Sequence, residues 1–256
     1  MKKLLAFTFL TVAFFCLNAQ KSVDTLSYMI GETTVAVEVS VFGSNTDITY
    51  INLHSDEETS VEAARKILEK GNGKLIRILN DRKRNISFRL NNEVYTVDPN
   101  RIFSRIGIER TLKATKNSSP GAVNEVEKFA NELLALIPKD AKCVIALHNN
   151  TEGGLAISSY MKGNIYANDA IDTHENPQHD PDDFLLTTDR NIFEKLKSKR
   201  FNTVLQDNEN VQQDGSLSVY FGDKNRCYVN IETEHGRVDV YHAMLLATLE
   251  SLNSTR

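Results

Sequence analysis

The chain predicts an α/β fold, on three observations. Residues 48–53 form an apolar run, residues 59–70 carry apolar side chains at Val61, Ala64, Ile67 and Leu68, and residues 75–79 are apolar again. A strand, helix, strand order of this spacing makes the two strands parallel, since a parallel partner needs a crossover connection. Residues 143–147 form another apolar run behind a helix-patterned stretch, which adds a further parallel strand. Residues 34–41 alternate with period two after a Gly31-Glu32 turn, which predicts an antiparallel hairpin at the sheet edge.

The other elements follow in order. Gly71-Asn72-Gly73 stops the first helix. Residues 86–97 read as a second hairpin turning at Asn91-Asn92. Ser119 suits a helix cap and Pro120 the first turn, so a helix runs to about 136 and Pro138 ends it. Between 149 and 181 the pattern fails: Gly153-Gly154, Asn168, Asp172, Pro177 and Pro181 punctuate a polar segment. A loop of that length inside a compact domain is commonly functional, and its start beside His148 makes it a wall of any site there. Residues 184–186, 191–199 and 203–205 resume the alternation, and a strand over 227–233 leads into a helix over 240–252.

With 256 residues, 41% hydrophobic and 25% charged, residues 20–256 suit one domain with a substantial core. Residues 1–19 stand apart. Lys2-Lys3, an apolar stretch over 4–15 and the small residue Ala19 read as a signal peptide, too short for a stable membrane span. Phe14-Phe15 before Cys16 argue against a lipid anchor there. Cleavage after Ala19 removes two lysines and no acid, taking the formal charge from -4 to -6. The short basic runs 82–84 and 195–200 make no nucleic-acid footprint. An exported protein, periplasmic or secreted and without a stable membrane anchor, is expected, its oligomeric state open. Cys143 and Cys227 both start apolar runs and read as buried core thiols, although export permits a bridge.

Three runs end on acid or imidazole: Ile51-Asn52-Leu53-His54 with Glu57 three residues on, Cys143 to His148, and Tyr228-Val229-Asn230-Ile231-Glu232 with Glu234 and His235 following. In open α/β sheets the functional crevice lies outside the carboxyl ends of the strands, so the three endings can converge. A catalytic zinc takes three His or carboxylate ligands and keeps a position open. His54, Glu57 and His148 supply that count, and Glu232 or Glu234 can serve as the base for an activated water. In a strand those two glutamates share a face. Arg101 offers a rigid fork matched to a carboxylate. His174 and His179, with Glu175 between them, are a competing metal pair, but Pro177 breaks any helix that would align them.

Taken in order, His54 and Glu57, then Asn100-Arg101, then His148 closing an apolar strand, then a late glutamate, the sequence resembles the zinc carboxypeptidase superfamily, in particular its succinylglutamate desuccinylase and aspartoacylase branch. The likeness covers about residues 48–236. It implies a mixed, mostly parallel central sheet flanked by helices, with zinc on His54, Glu57 and His148. It further implies that Arg101 grips a substrate carboxylate with help from Asn100, and that another arginine polarises the scissile carbonyl. Arg84 is the candidate for that role, with Arg89 and Arg105 as rivals. Ile231-Glu232 fits the late glutamate slightly better than Glu234, and no residue after His148 aligns with the carboxypeptidase tyrosine, although Tyr160 and Tyr166 are near. The implied activity is zinc-dependent hydrolysis of an amide near a free carboxylate, on a small molecule or peptide such as an acylated amino acid or cell-wall peptide. A binding protein that keeps the fold and the carboxylate grip is the alternative.

Overall fold

A computed structural model describes residues 21–254; the signal peptide expected over 1–19 lies outside the described residues. β1 (Lys21–Ile30) and β2 (Thr33–Phe42) form the expected hairpin, paired from Lys21 opposite Phe42 to Ile30 opposite Thr33. Gly31 turns it with φ of 57°, in the region where only glycine carries no Cβ penalty. β3 (Ile48–Asn52), α1 (Glu58–Leu68) and β4 (Gly73–Leu79) make the parallel unit. β5 (Ile86–Leu90) and β6 (Glu93–Val97) pair with each other as a separate ribbon.

Two helices follow, α2 (Arg105–Ala114) and α3 (Pro120–Ala135), the second capped by Ser119, whose hydroxyl accepts from the Ala122 N–H. β7 (Cys143–Leu147), β8 (Ala170–His174), β9 (Phe184–Thr187), α4 (Arg190–Ser198), β10 (Thr203–Gln206), α5 (Leu217–Gly222), β11 (Tyr228–Glu232) and α6 (Val238–Asn253) complete the order.

Among the described residues, nine strands join in one mixed sheet, ordered β1-β2-β4-β3-β7-β11-β9-β10-β8. The centre, β4-β3-β7-β11, is parallel throughout. Both faces of that centre are buried. In β7, Val144 and Ala146 join a layer with α2, α3, α5 and the β5-β6 ribbon, whereas Ile145 and Leu147 join a layer with α1, α4 and α6. Burial on both faces explains why these strands read as unbroken apolar runs. No helix among the described residues is long and apolar enough to cross a membrane.

The structure corrects the sequence reading in three places. Cys143 and Cys227 form a disulfide rather than standing as free core thiols. The parallel pairing that sets Tyr228 opposite Val144 brings the preceding residues of both strands together, at a Cα separation of 4.7 Å. Part of the polar 149–181 segment is an edge strand, β8, antiparallel to β10. Helices α2 and α5 form where the pattern gave no signal. Gly107 interrupts the apolar periodicity of α2 because a Cβ there would lie 2.4 Å from the Cα of Gly215.

Candidate metal centre

The three strand endings meet because β3, β7 and β11 are neighbours in the sheet. Asn52, the last residue of β3, donates from Nδ2 to the Leu147 carbonyl at 3.2 Å, which ties the ends of β3 and β7 together. A turn follows in which the Glu57 N–H donates to the His54 carbonyl at 3.1 Å, so both side chains project to one side. His148 is the first residue beyond β7. Its N–H faces both the Ile231 carbonyl at 3.2 Å and the Tyr241 hydroxyl at 3.1 Å. Tyr241, from α6, donates that hydroxyl to the Ile231 carbonyl at 3.1 Å. One buried tyrosine therefore spans the ends of β7 and β11.

His54, Glu57 and His148 are all buried. His54 Nδ1 lies 2.9 Å from Glu57 Oε1 and 3.2 Å from His148 Nδ1, which lies 2.9 Å from Glu57 Oε2. On its other edge, His54 Nε2 donates to Asp98 Oδ1 at 2.8 Å. That contact fixes the tautomer, presenting an Nδ1 lone pair to the other two groups. The His54 Nδ1 lone pair, the two Glu57 oxygens and His148 Nδ1 then converge out of water, an arrangement that needs a proton or a cation among them. Their spacing suits a metal: ligands about 2.1 Å from a tetrahedral ion lie roughly 3.4 Å apart. It is the one group of this kind among the described residues.

The local electrostatics agree. Burial alone would lower the basicity of His54, but Glu57 and Asp98 raise its pKa to about 9. Burial would raise Glu57, yet the two imidazoles hold its carboxyl well below the ordinary range. Asp98 is likewise held low, against its burial, by His54 and Arg84. Each shift records the mutual attraction of buried carboxylates and imidazoles.

A cavity of about 390 Å³ opens over this cluster. Among the predicted residues, His54, Glu57, Arg84, Asn100, Arg101, His148 and Glu232 line it. Arg84 Nη1 donates to Glu57 Oε1 at 2.7 Å. Asn100 Oδ1 accepts from the Leu217 N–H at 3.1 Å, and Arg101 Nη1 lies 3.5 Å from Asp214 Oδ2. Glu232 accepts from Asn230 Nδ2 at 3.0 Å; burial raises its pKa, the fields of His148 and Glu57 acting on it in opposite senses.

Other predicted residues lie elsewhere. Glu234 is not among the cavity residues and faces Arg237 at 3.7 Å. Arg105 does not line the cavity; it is exposed and bonded to Glu127 at 3.0 Å. Arg89 is also outside the cavity. His174 sits on the edge strand β8, and His179 packs edge-on against Phe201. Tyr160, by contrast, does line the cavity, its ring tilted at 33° to that of Tyr166.

Asp98, Tyr241 and Asp214 went unread in the sequence. For Asp98 a signal was there: an aspartate before Pro99 caps the short turn that carries Asn100 and Arg101, its Oδ1 accepting the Asn100 N–H at 2.8 Å. For Tyr241, on a helix apolar nearly all round, there was none.

No family profile matches the chain, and neither does any curated protein. Among solved structures, one similar chain is a candidate metallopeptidase from Shewanella denitrificans OS217, 11% identical over 90% of this chain and 83% of that one, with a TM-score of 0.42. Another is a candidate metallopeptidase from Shewanella amazonensis SB2B, 10% identical over 89% of this chain and 85% of that one, with a TM-score of 0.36.

Proposed function

We propose that the protein is an exported zinc-dependent hydrolase that cleaves an amide bond near a free carboxylate. The observation that carries this reading is the triangle of His54 Nδ1, Glu57 and His148 Nδ1, with edges of 2.9 to 3.2 Å, beside a cavity that also holds Glu232. Two imidazoles and a carboxylate are a donor set suited to catalytic zinc, and Asp98 behind His54 completes the carboxylate-histidine arrangement usual at such sites. When bound, the ion would supply Lewis acidity that activates a water molecule and polarises a carbonyl.

The chain's own residues have separate tasks in this reading. Glu232 takes the proton from the attacking water and delivers it to the leaving amine, its carboxylate oriented by Asn230. Arg101 and Asn100 hold the substrate's carboxylate end. Arg84, paired with Glu57 at 2.7 Å, turns toward the scissile carbonyl in this reading. Export is supported by the N-terminal pattern and by a disulfide of a kind that persists in oxidising compartments.

Elemental analysis of the purified protein tests the reading. Near-stoichiometric zinc in the wild type, absent from a folded His148→Ala variant, is expected, together with hydrolysis of members of an N-acyl amino acid and short-peptide panel. A folded wild type that neither contains zinc nor takes it up on addition would refute it.

A further inference from the structure

The charges that surround the expected carboxylate grip are not those of a simple anion receptor. Two arginines line the cavity, and each has its own carboxylate. Arg84 meets Glu57 at 2.7 Å and Asp98 at 3.8 Å. Arg101 meets Asp214 at 3.5 Å, and both line the cavity and are only about one third exposed. Asp214 is fixed there by local structure: its Oδ1 accepts the Ser216 N–H at 2.8 Å, while the Gly215 carbonyl accepts the Phe103 N–H at 2.9 Å. Gly215, at φ of 81°, lies so close to Gly107 that a side chain on either would clash with the other's Cα. The loop bearing Asp214 is thus packed directly on the segment bearing Arg101.

A carboxylate next to Arg101 has two consequences. It offsets the attraction of the guanidinium for a plain anion, because a bound carboxylate would lie near Asp214 as well. It also leaves an acceptor for a cation. At 3.5 Å the pair is longer than a direct charge-assisted hydrogen bond, so Asp214 Oδ2 keeps capacity for a donor. The contacts of Arg101 with Asp214 and with its neighbour's carbonyl both use Nη1, which leaves the Nη2 end of the fork for a carboxylate.

We infer that the Arg101–Asp214 pair is a receptor for a zwitterionic amino-acid head, a free ammonium and a free carboxylate on one carbon, so that the substrate is an amide formed elsewhere on a diamino acid or similar residue. The inference rests on the hydrolase reading of the same cavity. Hydrolysis adds water across the C–N bond, releasing a carboxylic acid and the amine that bears this head; the head itself takes no part.

Three compounds with similar apolar tails separate the charges: norleucine carries both, hexanoate only the carboxylate, pentylamine only the ammonium. Their binding to the zinc-loaded protein is measured by calorimetry, for wild type, Asp214→Asn and Asp214→Ser. Both variants keep an oxygen for the Ser216 N–H, and unchanged melting curves confirm their fold. Norleucine should bind the wild type about tenfold or more tightly than either single-charge compound, the scale of a charged hydrogen bond. In the variants it should fall to the level of hexanoate, which a mere chelation of the metal by norleucine would not do. Equal binding of norleucine and hexanoate to the wild type, or a preference indifferent to Asp214, overturns the inference. Hydrolysis of Nε-acetyl-lysine and of 6-acetamidohexanoate is then compared. Cleavage of both at equal rates, indifferent to Asp214, refutes the receptor while the hydrolase stands. Asp214-dependent norleucine binding without cleavage of any amide refutes the hydrolase while the receptor stands.

Discussion

Asp98→Asn tests the metal centre at its least obvious member. Asp98 Oδ1 accepts two hydrogen bonds, from His54 Nε2 and from the Asn100 N–H, each at 2.8 Å. Asparagine keeps an oxygen for the turn, so the loop carrying Asn100 and Arg101 stays in place, but it removes the negative charge that orients His54 and makes its Nδ1 a better donor. Loss of such a partner typically weakens metal binding about 10- to 100-fold, roughly 1.4 to 2.7 kcal/mol. The lower half of that range is expected here, because Asn still accepts the Nε2–H. Competition against a chromophoric chelator of known zinc affinity reads the change directly. An affinity within about twofold of wild type, with His54→Ala still abolishing binding, would show that Asp98 does not tune the site and would refute the reasoning from the fixed tautomer.

Other outcomes follow from the same geometry. Glu232→Gln should lower kcat by about 10²- to 10⁴-fold with zinc content unchanged, whereas Glu234→Gln, outside the cavity, should stay within about threefold of wild type; equal losses would contradict the assignment of the base. In the metal-free protein the His54 pKa, raised to about 9 from an unfolded value of 6.5, contributes stability that is complete below 6.5 and lost as pH rises to about 9. Zinc uptake at about pH 7.5 should therefore release close to one proton per site, seen as a buffer-dependent heat, and a buffer-independent heat would argue against a proton held on His54. The Cys143–Cys227 bridge closes a separation of 84 residues, and a loop of that size restricts the unfolded chain by roughly 4 to 5 kcal/mol. Replacing both cysteines with serine should lower the denaturation midpoint accordingly, and a midpoint unmoved would mean that the bridge does not form in the folded protein.

Much of the fold was legible because the central strands are buried on both faces and announce themselves as apolar runs, with helices of clear periodicity between them. What stayed hidden depended on contacts between distant segments. α2 was obscured by Gly107, which is there for the close approach of Gly215 and not for the helix. β8 is a half-buried edge strand, so its residues carry no apolar alternation. At the site, histidines ending apolar runs were visible as chemistry, and the His54, Glu57 and His148 side chains do come within hydrogen-bonding distance of one another. The choice between Glu232 and Glu234 was only faintly visible, in the slightly better fit of Ile231-Glu232 to the resemblance. Two residues apart on an ideal strand they share a face, but β11 ends at Glu232, and Glu234 turns away to Arg237. The disulfide was equally opaque, because a buried cysteine beginning a strand looks the same paired or free until the register between β7 and β11 is known.

That register also explains why the site needs support from the fold. His54 and Glu57 follow β3, His148 follows β7 and Glu232 ends β11, so the cavity depends on how these strands are set against one another. β7 and β11 are fastened at both ends: by the disulfide where they begin and by the Tyr241 hydroxyl where they finish, bridging His148 and Ile231. A slip of one residue between two strands reverses which face each side chain occupies, which would send His148 and Glu232 to opposite sides of the sheet. Two fastenings, one covalent and one a buried hydroxyl, hold the two residues in one register whether or not a cation is bound. The cavity and its charges are therefore set before any ion or substrate arrives, and ordering of these strands need not be part of the cost of binding.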